Sequence, residues 1–391
     1  MRVAHIITRL IVGGAQENTI ASVLGLRRKA GVEVRLLSGP SIGPEGSLEP
    51  ELSVVPELLT TLPDLVRPLH LWKDWRALRH LTSWLRNWRA DIVHTHSGKA
   101  GILGRLAARR AGVPVIVHTI HGPSFGAFQG VLSNALFVAA ERFAGRFTTH
   151  FVSVADAMSR QYLAARIGRP DQYSRIFSGF PLDPFLSAKP DMSLRERLGL
   201  APGDFVVGKI ARLFKLKGHE DLIAVAPELV KRCPRIRFLL VGDGAWRQRF
   251  EDEIARRGLT GRFVFAGLVP PAAVAEYVAL MDMLVHLSSR EGLPRSLPQA
   301  LAAGKPVVAY DCGGAREVCR DNETGFLVAP GDRGGLVERI LQLEQNSGLR
   351  NRFGGRGRAL VREGFPVERM VEDLHALYLR LLPSSSPTHA G

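Results

Sequence analysis

The fold is decided by residues 288–308, which read SSREGLPRSLPQALAAGKPVV. This stretch begins just after the apolar run Met283–His286 and ends in a second one, Val307–Ala309, with a helical pattern between them. Short apolar runs of this kind are typical of strands that are buried on both faces of a parallel sheet. Eight similar runs precede the stretch: Val3–Ile7, Val32–Leu37, Ile92–His94, Val115–His118, Phe151–Val154, Phe205–Ile210, Phe238–Val241 and Phe263–Phe265.

The beginning of the same stretch has the features of an anion site. Gly292 allows the backbone to approach a ligand closely, and the dipole of a helix favours an anion at its N-terminus. The N–H groups expected at that N-terminus belong to Leu293, Arg295 and Ser296. Glu291 therefore stands beside a predicted phosphate site, and Gln299, eight residues further on, lies about two helical turns along a similar face.

The apolar runs form two sets, with helical stretches between successive runs that predict βαβ units and parallel sheets. The chain has 391 residues, about 2.6 times the usual length of one domain. A polar, proline-rich passage at 180–191 separates the two sets, so we predict doubly wound domains at 1–182 and 183–365, a final helix at 366–382 and a disordered tail at 383–391. Ligands of such sheets bind at the carboxyl ends of the strands, so we expect loops of both domains to face a cleft between them.

The composition is that of a globular protein. Apolar residues make up 46% and charged residues 23% of the chain, which excludes disordered and fibrous classes. No run of roughly 18 apolar residues predicts a membrane span, and the apolar N-terminal run is too short for a secretory signal. Three cysteines (Cys233, Cys312 and Cys319) suit a reducing cytoplasm, and their spacing predicts no zinc site.

Taken together, these segments resemble the retaining glycosyltransferase family 4 of the GT-B fold over nearly the whole chain. In that family a Glu is followed, after seven residues, by a second Glu and then by small residues ending in Gly-x-Pro-Val-Val; Gln299 replaces the second Glu here. Further segments that resemble the family are Gly13–Gln16, Asp91–Gly101, Thr119–Gly122, Ser178–Phe180, Ala211–Gly218, Val241–Gly244 and Asp311–Val318. The resemblance implies an α/β protein of two Rossmann-like domains, the first binding the acceptor and the second the nucleotide-sugar, with the final helix packed on the first.

The resemblance also implies roles for individual residues. The donor pyrophosphate is expected to contact Arg212, Lys217, Gly13 and Gly14. The donor sugar and nucleotide are expected to contact Glu291, Gly292, Leu293, Arg295, Ser296, Gln299, Gly267, Leu268 and Val269. His121 is placed near the anomeric centre, where it holds a sugar hydroxyl or a phosphate oxygen and forms the catalytic set with Glu291. His96 and Lys99 are further candidates for contact with the acceptor.

The chemistry of the transfer requires such cations. Breaking the bond leaves a charged pyrophosphate, which has to be neutralised as it departs. Arg212 and Lys217 can do this without a metal, and the metal-chelating pair Asp-x-Asp of the other major glycosyltransferase fold does not occur. We therefore expect a metal-independent transfer with no cofactor. Gln299 can still accept a hydrogen bond from a ribose hydroxyl, although it brings a competing donor and no charge.

Structural roles compete with these assignments. Glu291 could simply cap its helix, the two clamp cations could be solvated surface charges, and His121 could be a buried histidine bonded to the backbone. His94 and His96 are interpreted as alternating on their strand, so that at most one of them faces the cleft. Lys99 could equally be a surface lysine.

Positive charge is concentrated in the first half of the chain. The net charge is +15, from 52 basic and 37 acidic residues, and residues 1–195 supply +10 of it. The segment Arg67–Arg89 holds four of the five tryptophans and a net charge of +5. At about 100° per residue, Trp72 and Trp75 lie among arginines opposite an apolar face, as in an interfacial membrane element. An ordinary helix whose Trp and Arg side chains pack on neighbouring loops is the alternative.

The sequence therefore predicts a glycosyltransferase that moves a sugar from a nucleotide diphosphate, with UDP as the family default, to an envelope glycan or lipid-linked acceptor. It is expected in the cytoplasm, peripheral to the inner face of an anionic membrane. A nucleotide-sugar epimerase or a phosphorylase on the same fold is the alternative enzyme. A basic nucleic-acid-binding protein would explain the charge but not the motifs, and no nucleic-acid recognition module occurs, so no nucleic acid partner is expected.

Overall fold

The computed structural model describes residues 1–43, 46–96, 98–126 and 128–383. They form two compact units: unit 1 comprises Met1–Gly179 together with the residues from Val367 onward, and unit 2 comprises Phe180–Pro366. The predicted tail, apart from its first residue, lies outside the described residues.

Both units contain a parallel sheet. The strands are β1 (Arg2–Ile7), β2 (Glu33–Ser38), β3 (Leu59–Thr61), β4 (Ile92–His96), β5 (Val115–Ile120), β6 (His150–Ser153), β7 (Tyr173–Arg175), β8 (Phe205–Ile210), β9 (Ile236–Val241), β10 (Phe263–Gly267), β11 (Met283–His286), β12 (Val307–Tyr310) and β13 (Gly325–Val328). Their order is β3-β2-β1-β4-β5-β6-β7 in unit 1 and β10-β9-β8-β11-β12-β13 in unit 2. These orders confirm the predicted pair of doubly wound α/β domains.

Helices connect the strands. They are α1 (Gly14–Arg27), α2 (Leu71–Trp88), α3 (Gly98–Ala111), α4 (Val131–Gly145), α5 (Asp156–Ala164), α6 (Asp183–Leu186), α7 (Met192–Arg197), α8 (His219–Arg232), α9 (Arg247–Arg256), α10 (Val274–Ala279), α11 (Ser296–Ala302), α12 (Ala315–Val318), α13 (Arg333–Gln345), α14 (Ser347–Gly364) and α15 (Val367–Leu381). Short 3₁₀ turns lie at Glu49–Leu52, Pro56–Leu58, Pro170–Gln172, Thr260–Arg262 and Pro271–Ala273.

The last helix completes the core of unit 1. Met370, Leu374 and Tyr378 of α15 are buried in the same apolar cluster as residues of β1 and α1. The two helices approach so closely that a Cβ on Gly25 would lie 2.3 Å from a methyl group of Val371. Helices α2 and α3 cover the opposite face of the sheet, and unit 2 encloses a separate core that includes the apolar residues of β8, β9 and β11.

Candidate active site

The central feature of unit 2 is a lysine–glutamate pair at the carboxyl end of its sheet. Lys217 Nζ donates a hydrogen bond to Glu291 Oε1 at 2.5 Å, and the two side chains are only 22% and 18% exposed. Burial acts to raise the pKa of the Glu291 carboxyl, but the charges of Lys217 and His286 and the hydrogen bonds from Lys217 and Ser288 together hold that pKa below its ordinary value. The glutamate is therefore a carboxylate at neutral pH, beside an ammonium group that can bind an anion.

A glycine in a left-handed conformation brings the two partners together. Gly218 has φ +68°, and a Cβ there would lie 2.0 Å from the carbonyl oxygen of Leu287. Directly beside it, the N–H of Ser289 donates to the carbonyl of Leu216 at 3.0 Å. The turn that carries Lys217 thus lies against the loop that carries the glutamate, and a side chain at position 218 would push them apart.

A second glycine supports the same loop from the other side. Gly313 has φ +58°, and a Cβ there would lie 2.2 Å from the carbonyl oxygen of Glu291. The N–H of Gly314 donates to the carbonyl of Gly292 at 2.7 Å. The segment after β12 therefore holds the backbone of the predicted anion loop in place.

The remaining residues of that loop are packed rather than extended into solvent. Leu293 and Ser296 are buried, and Ser296 Oγ lies 3.2 Å from Nδ1 of His286. Arg295 packs over the ring of Phe180, with its guanidinium carbon 5.8 Å from the ring centroid. Gln299 lies half-buried on α11, which begins at Ser296.

Two other predicted donor segments lie at strand ends of unit 2. Gly267 ends β10 and its carbonyl accepts from the N–H of Gly242 at 2.9 Å, whereas Leu268 is 53% exposed and Val269 is buried. Arg212 is exposed on the turn that follows β8. The structure thus joins Lys217 directly to Glu291, while Arg212 lies at the surface of the unit.

Sequence reasoning missed a buried lysine in this cluster. Lys209 lies on β8 and is only 1% exposed. Burial and the neighbouring charge of Lys217 lower its pKa to about 7, so it titrates near neutral pH. A lysine inside the apolar run FVVGKI was the available signal, because lysine is rarely buried without a function or a partner.

Two glycines predicted to lie near the pyrophosphate and one lysine predicted to contact the acceptor belong to unit 1. Gly13 and Gly14 lie in the loop after β1, where α1 begins at Gly14. Lys99, a candidate for acceptor contact, is only 11% exposed and forms an ion pair with Asp74; it also donates to the carbonyl of Pro68 at 2.5 Å. Lys99 is therefore a largely buried lysine that already has two partners, and its contact with an acceptor stays a prediction.

His94 and His96 share one face of the sheet, and the interpretation that they alternate was wrong. Their rings stack with centroids 4.4 Å apart, because strand residues two positions apart point to the same side. His96 Nδ1 lies 2.9 Å from Nε2 of His121. The structure therefore places both predicted histidines, 96 and 121, in one buried cluster, which also contains His5.

Unit 1 also exposes apolar side chains on two helices. Trp72 and Trp75 of α2 are 70% and 47% exposed, and the buried residues of the helix form the predicted opposite face. Helix α4 exposes Val131, Leu132 and Leu136, which sequence reasoning missed because the segment carries no basic residues in its first ten positions. Among the described residues, no helix is both long and apolar enough to span a bilayer.

This fold and this site define a glycosyltransferase of the GT-B class. The sequence pattern of the family Glycosyl transferases group 1 matches residues 192–360, and that of the Glycosyl transferase 4-like domain matches residues 13–176. The chain belongs to this GT4-type family of glycosyltransferases, which confirms the resemblance inferred from its motifs.

Characterised relatives agree with this assignment. A 2-deoxystreptamine glucosyltransferase of Streptomyces kanamyceticus is 30% identical over 304 residues, 73% of this chain and 77% of the relative. A UDP-Gal:alpha-D-GlcNAc-diphosphoundecaprenol alpha-1,3-galactosyltransferase of Escherichia coli is 27% identical, covering 82% of this chain and 83% of the relative. The crystal structure of Anabaena HepE in complex with UDP-glucose matches the fold with a TM-score of 0.80, at 23% identity, covering 97% of this chain and 100% of HepE.

Proposed function

We propose that the protein transfers a sugar from a UDP-sugar, with retention of configuration and without a metal, to a hydroxyl group of an envelope glycan or lipid-linked acceptor. The observation that carries the proposal is the partly buried pair of Lys217 and Glu291 at the carboxyl end of the unit 2 sheet. The relatives support the choice of substrates, since one is named for a UDP-galactose donor and a diphosphoundecaprenol acceptor. HepE was crystallised with UDP-glucose.

In this proposal unit 2 binds the donor. Lys217 and Arg212 neutralise the pyrophosphate, Glu291 accepts hydrogen bonds from hydroxyl groups of the donor sugar, and Gln299 contacts the ribose. The base of the donor nucleotide lies against the backbone of residues 267–269. In unit 1, His121 contacts a hydroxyl or phosphate oxygen near the anomeric centre, with Gly13 and Gly14 close to the pyrophosphate.

Ligand-dependent thermal stability tests the proposed donor. Because a bound ligand stabilises the folded protein in proportion to the logarithm of its concentration over Kd, UDP and UDP-sugars are expected to raise Tm, and the Lys217→Ala variant is expected to lose most of that shift. Hydrolysis or transfer assays with the stabilising sugar then identify the reaction. Conversion of a UDP-sugar without any acceptor would instead indicate an epimerase, and salt-sensitive DNA binding with no response to nucleotide-sugars would contradict the proposal.

Metal independence leads to a separate prediction. Turnover is expected to be unchanged after dialysis against EDTA, since Arg212 and Lys217 would supply the positive charge that a divalent ion provides in other transferases. Initial rates before and after chelation give the measurement. Loss of activity that Mg²⁺ or Mn²⁺ restores would show that the departing pyrophosphate needs a metal.

Unit 1 is proposed to hold the enzyme at an anionic membrane surface through Arg67–Arg89. Basic residues near such a surface contribute about 1 kcal/mol each, so replacing Arg76, Arg79 and Arg86 with Gln is expected to weaken vesicle binding about 10²-fold at low salt. Replacing Trp72 and Trp75 with Ala should reduce the remaining binding at high salt, where charge is screened.

Co-sedimentation with phosphatidylglycerol vesicles measures this binding. Replacing three exposed arginines of α14 in unit 2 (Arg352, Arg356 and Arg362) with Gln provides a control of equal charge change, expected to bind as the wild type does. Wild-type protein that remains in the supernatant at low salt would rule out the membrane contact and favour a soluble acceptor.

A further inference from the structure

Six buried or half-buried side chains of unit 1 form one continuous chain of close polar contacts. The contacts run from His121 to His96 (Nε2 to Nδ1, 2.9 Å), His96 to His5 (Nε2 to Nδ1, 2.9 Å), His5 to Tyr378 (Nε2 to Oη, 3.4 Å), Tyr378 to His94 (Oη to Nδ1, 2.5 Å) and His94 to Thr119 (Nε2 to Oγ1, 2.6 Å). The six residues belong to β1, β4, β5, the loop after β5, and α15. The proposed function assigns a ligand contact to His121 at one end, and the neighbouring His96 is a further candidate for contact with the acceptor.

The number of N–H and O–H groups on these side chains limits which partner can donate in each contact. A neutral histidine has one N–H and one lone pair, so a histidine that accepts at one nitrogen donates from the other. Tyr378 has one O–H and two lone pairs, so it donates to at most one of His5 and His94 and accepts from the other, or it accepts from both. If Tyr378 donates to His5, Nδ1 of His121 becomes an N–H donor; if Tyr378 accepts from His5, Nδ1 of His121 carries a lone pair.

Tyr378 sets the direction. A phenol is a stronger hydrogen-bond donor than a neutral imidazole, because its proton is more acidic, and its 2.5 Å contact with His94 is the shortest of the chain. With Tyr378 donating to His94, His5 donates to Tyr378, His96 donates to His5, and His121 donates from Nε2 to His96. Nδ1 of His121 then carries a lone pair, and among the described residues it has no hydrogen-bond partner.

We infer that His96, His5 and Tyr378 act as positioning residues that hold His121 in the Nε2–H tautomer, with Nδ1 as an acceptor for a ligand hydroxyl. This deepens the proposed function and rests on it. An acceptor nitrogen suits a sugar hydroxyl and opposes a phosphate oxygen, so it chooses between the two ligand groups left open for His121.

A metal ion fits the same side chains less well. The closest ligand atoms of His5, His94 and His96 lie within 4.8 Å of one another, as a three-histidine site would require. All six of their ring nitrogens, however, already have a partner at hydrogen-bond distance or close to it. Nitrogens bound to one zinc at about 2.0–2.1 Å would be about 3.4 Å apart in a tetrahedral site, whereas His5 and His96 are 2.9 Å apart.

The Tyr378→Phe variant tests the inference, because it removes the directing hydroxyl and keeps the ring. Two-bond ¹H–¹⁵N spectra of the histidine rings report which nitrogen carries the proton, and the His121→Asn spectrum identifies the signals of His121. We expect a single Nε2–H form in the wild type and a mixture in Tyr378→Phe. We also expect kcat to fall about tenfold, the effect of about one hydrogen bond, with a smaller change in KM for the donor.

Tyr173→Phe is the matched control, since it removes a tyrosine hydroxyl of unit 1 that donates at 2.7 Å to the carbonyl of Ile167, outside the chain of contacts. It is expected to leave the His121 tautomer and kcat unchanged. A single Nε2–H form that persists in Tyr378→Phe would overturn the inference, and so would one zinc ion per purified wild-type chain. A mixed tautomer with unchanged kcat would uphold the relay and contradict the proposed role of His121 in transfer.

Discussion

Replacing Lys217 with alanine is expected to lower kcat of sugar transfer by about 10²–10³, the usual effect of losing one charged group that stabilises a departing anion. The ammonium group is the positive partner of Glu291 at 2.5 Å, in a site where both side chains are largely shielded from water. Its removal leaves the pyrophosphate without that charge and also leaves the carboxylate unpaired. Both changes make the site more negative, so it binds the anionic donor less well and stabilises the departing pyrophosphate less well.

The loss of charge can be separated from the loss of structure. Lys215→Ala removes an exposed lysine from the same turn and is expected to retain full activity, whereas Arg212→Ala should be impaired in the same way as Lys217→Ala. Steady-state kinetics with a saturating UDP-sugar, together with Tm of each variant, give the comparison. Near-normal kcat in a folded Lys217→Ala protein would show that the phosphate groups are neutralised elsewhere.

The central strands could be predicted from the sequence, whereas three of the four edge strands could not. The ten predicted runs all form strands, because buried parallel strands require continuous apolar residues. The missed strands β3, β7 and β13 lie at sheet edges. Two of them have only three residues, each at least partly exposed, so neither has an apolar run to distinguish it from a loop.

The parts of the candidate site that lie within local sequence motifs could be predicted, whereas contacts between distant motifs could not. Glycines and charged residues at fixed spacings marked the turn of Lys217 and the loop of Glu291, but only the structure joins them, since 74 positions separate the two residues. Lys209 carries no motif of its own. The cluster around His121 depends on Tyr378, which is 284 positions from His94 and belongs to a helix at the other end of the chain.

Unit 1 is expected to lose stability steeply below about pH 6.5, because it holds six histidines in their neutral form, among them His150, whose pKa burial lowers to about 4. Burial lowers the pKa of His5 and of His121 from 6.5 to about 3. Burial first, and then the mutual repulsion that protonated neighbouring histidines would exert or, for His118, the charge of Arg105, lower the pKa of His94, His96 and His118 well below 6.5. Between those values the unfolded chain binds protons that the folded unit does not, so stability is complete above 6.5 and falls as the pH falls.

The expected loss is large. Each such histidine costs at most about 1.4 kcal/mol per pH unit, so His5 and His121, whose folded pKa values are about 3, together cost about 3–4 kcal/mol between pH 6.5 and 5, and the other buried histidines add to this loss. Tryptophan fluorescence follows this unit when Trp246 of unit 2 is replaced with Phe, because the other four tryptophans lie in Arg67–Arg89. The urea midpoint of that protein should fall sharply from pH 7.5 to 5, and exposed His80→Gln should leave the decline unchanged. A midpoint independent of pH over this range would mean that the buried histidines accept protons while the unit stays folded.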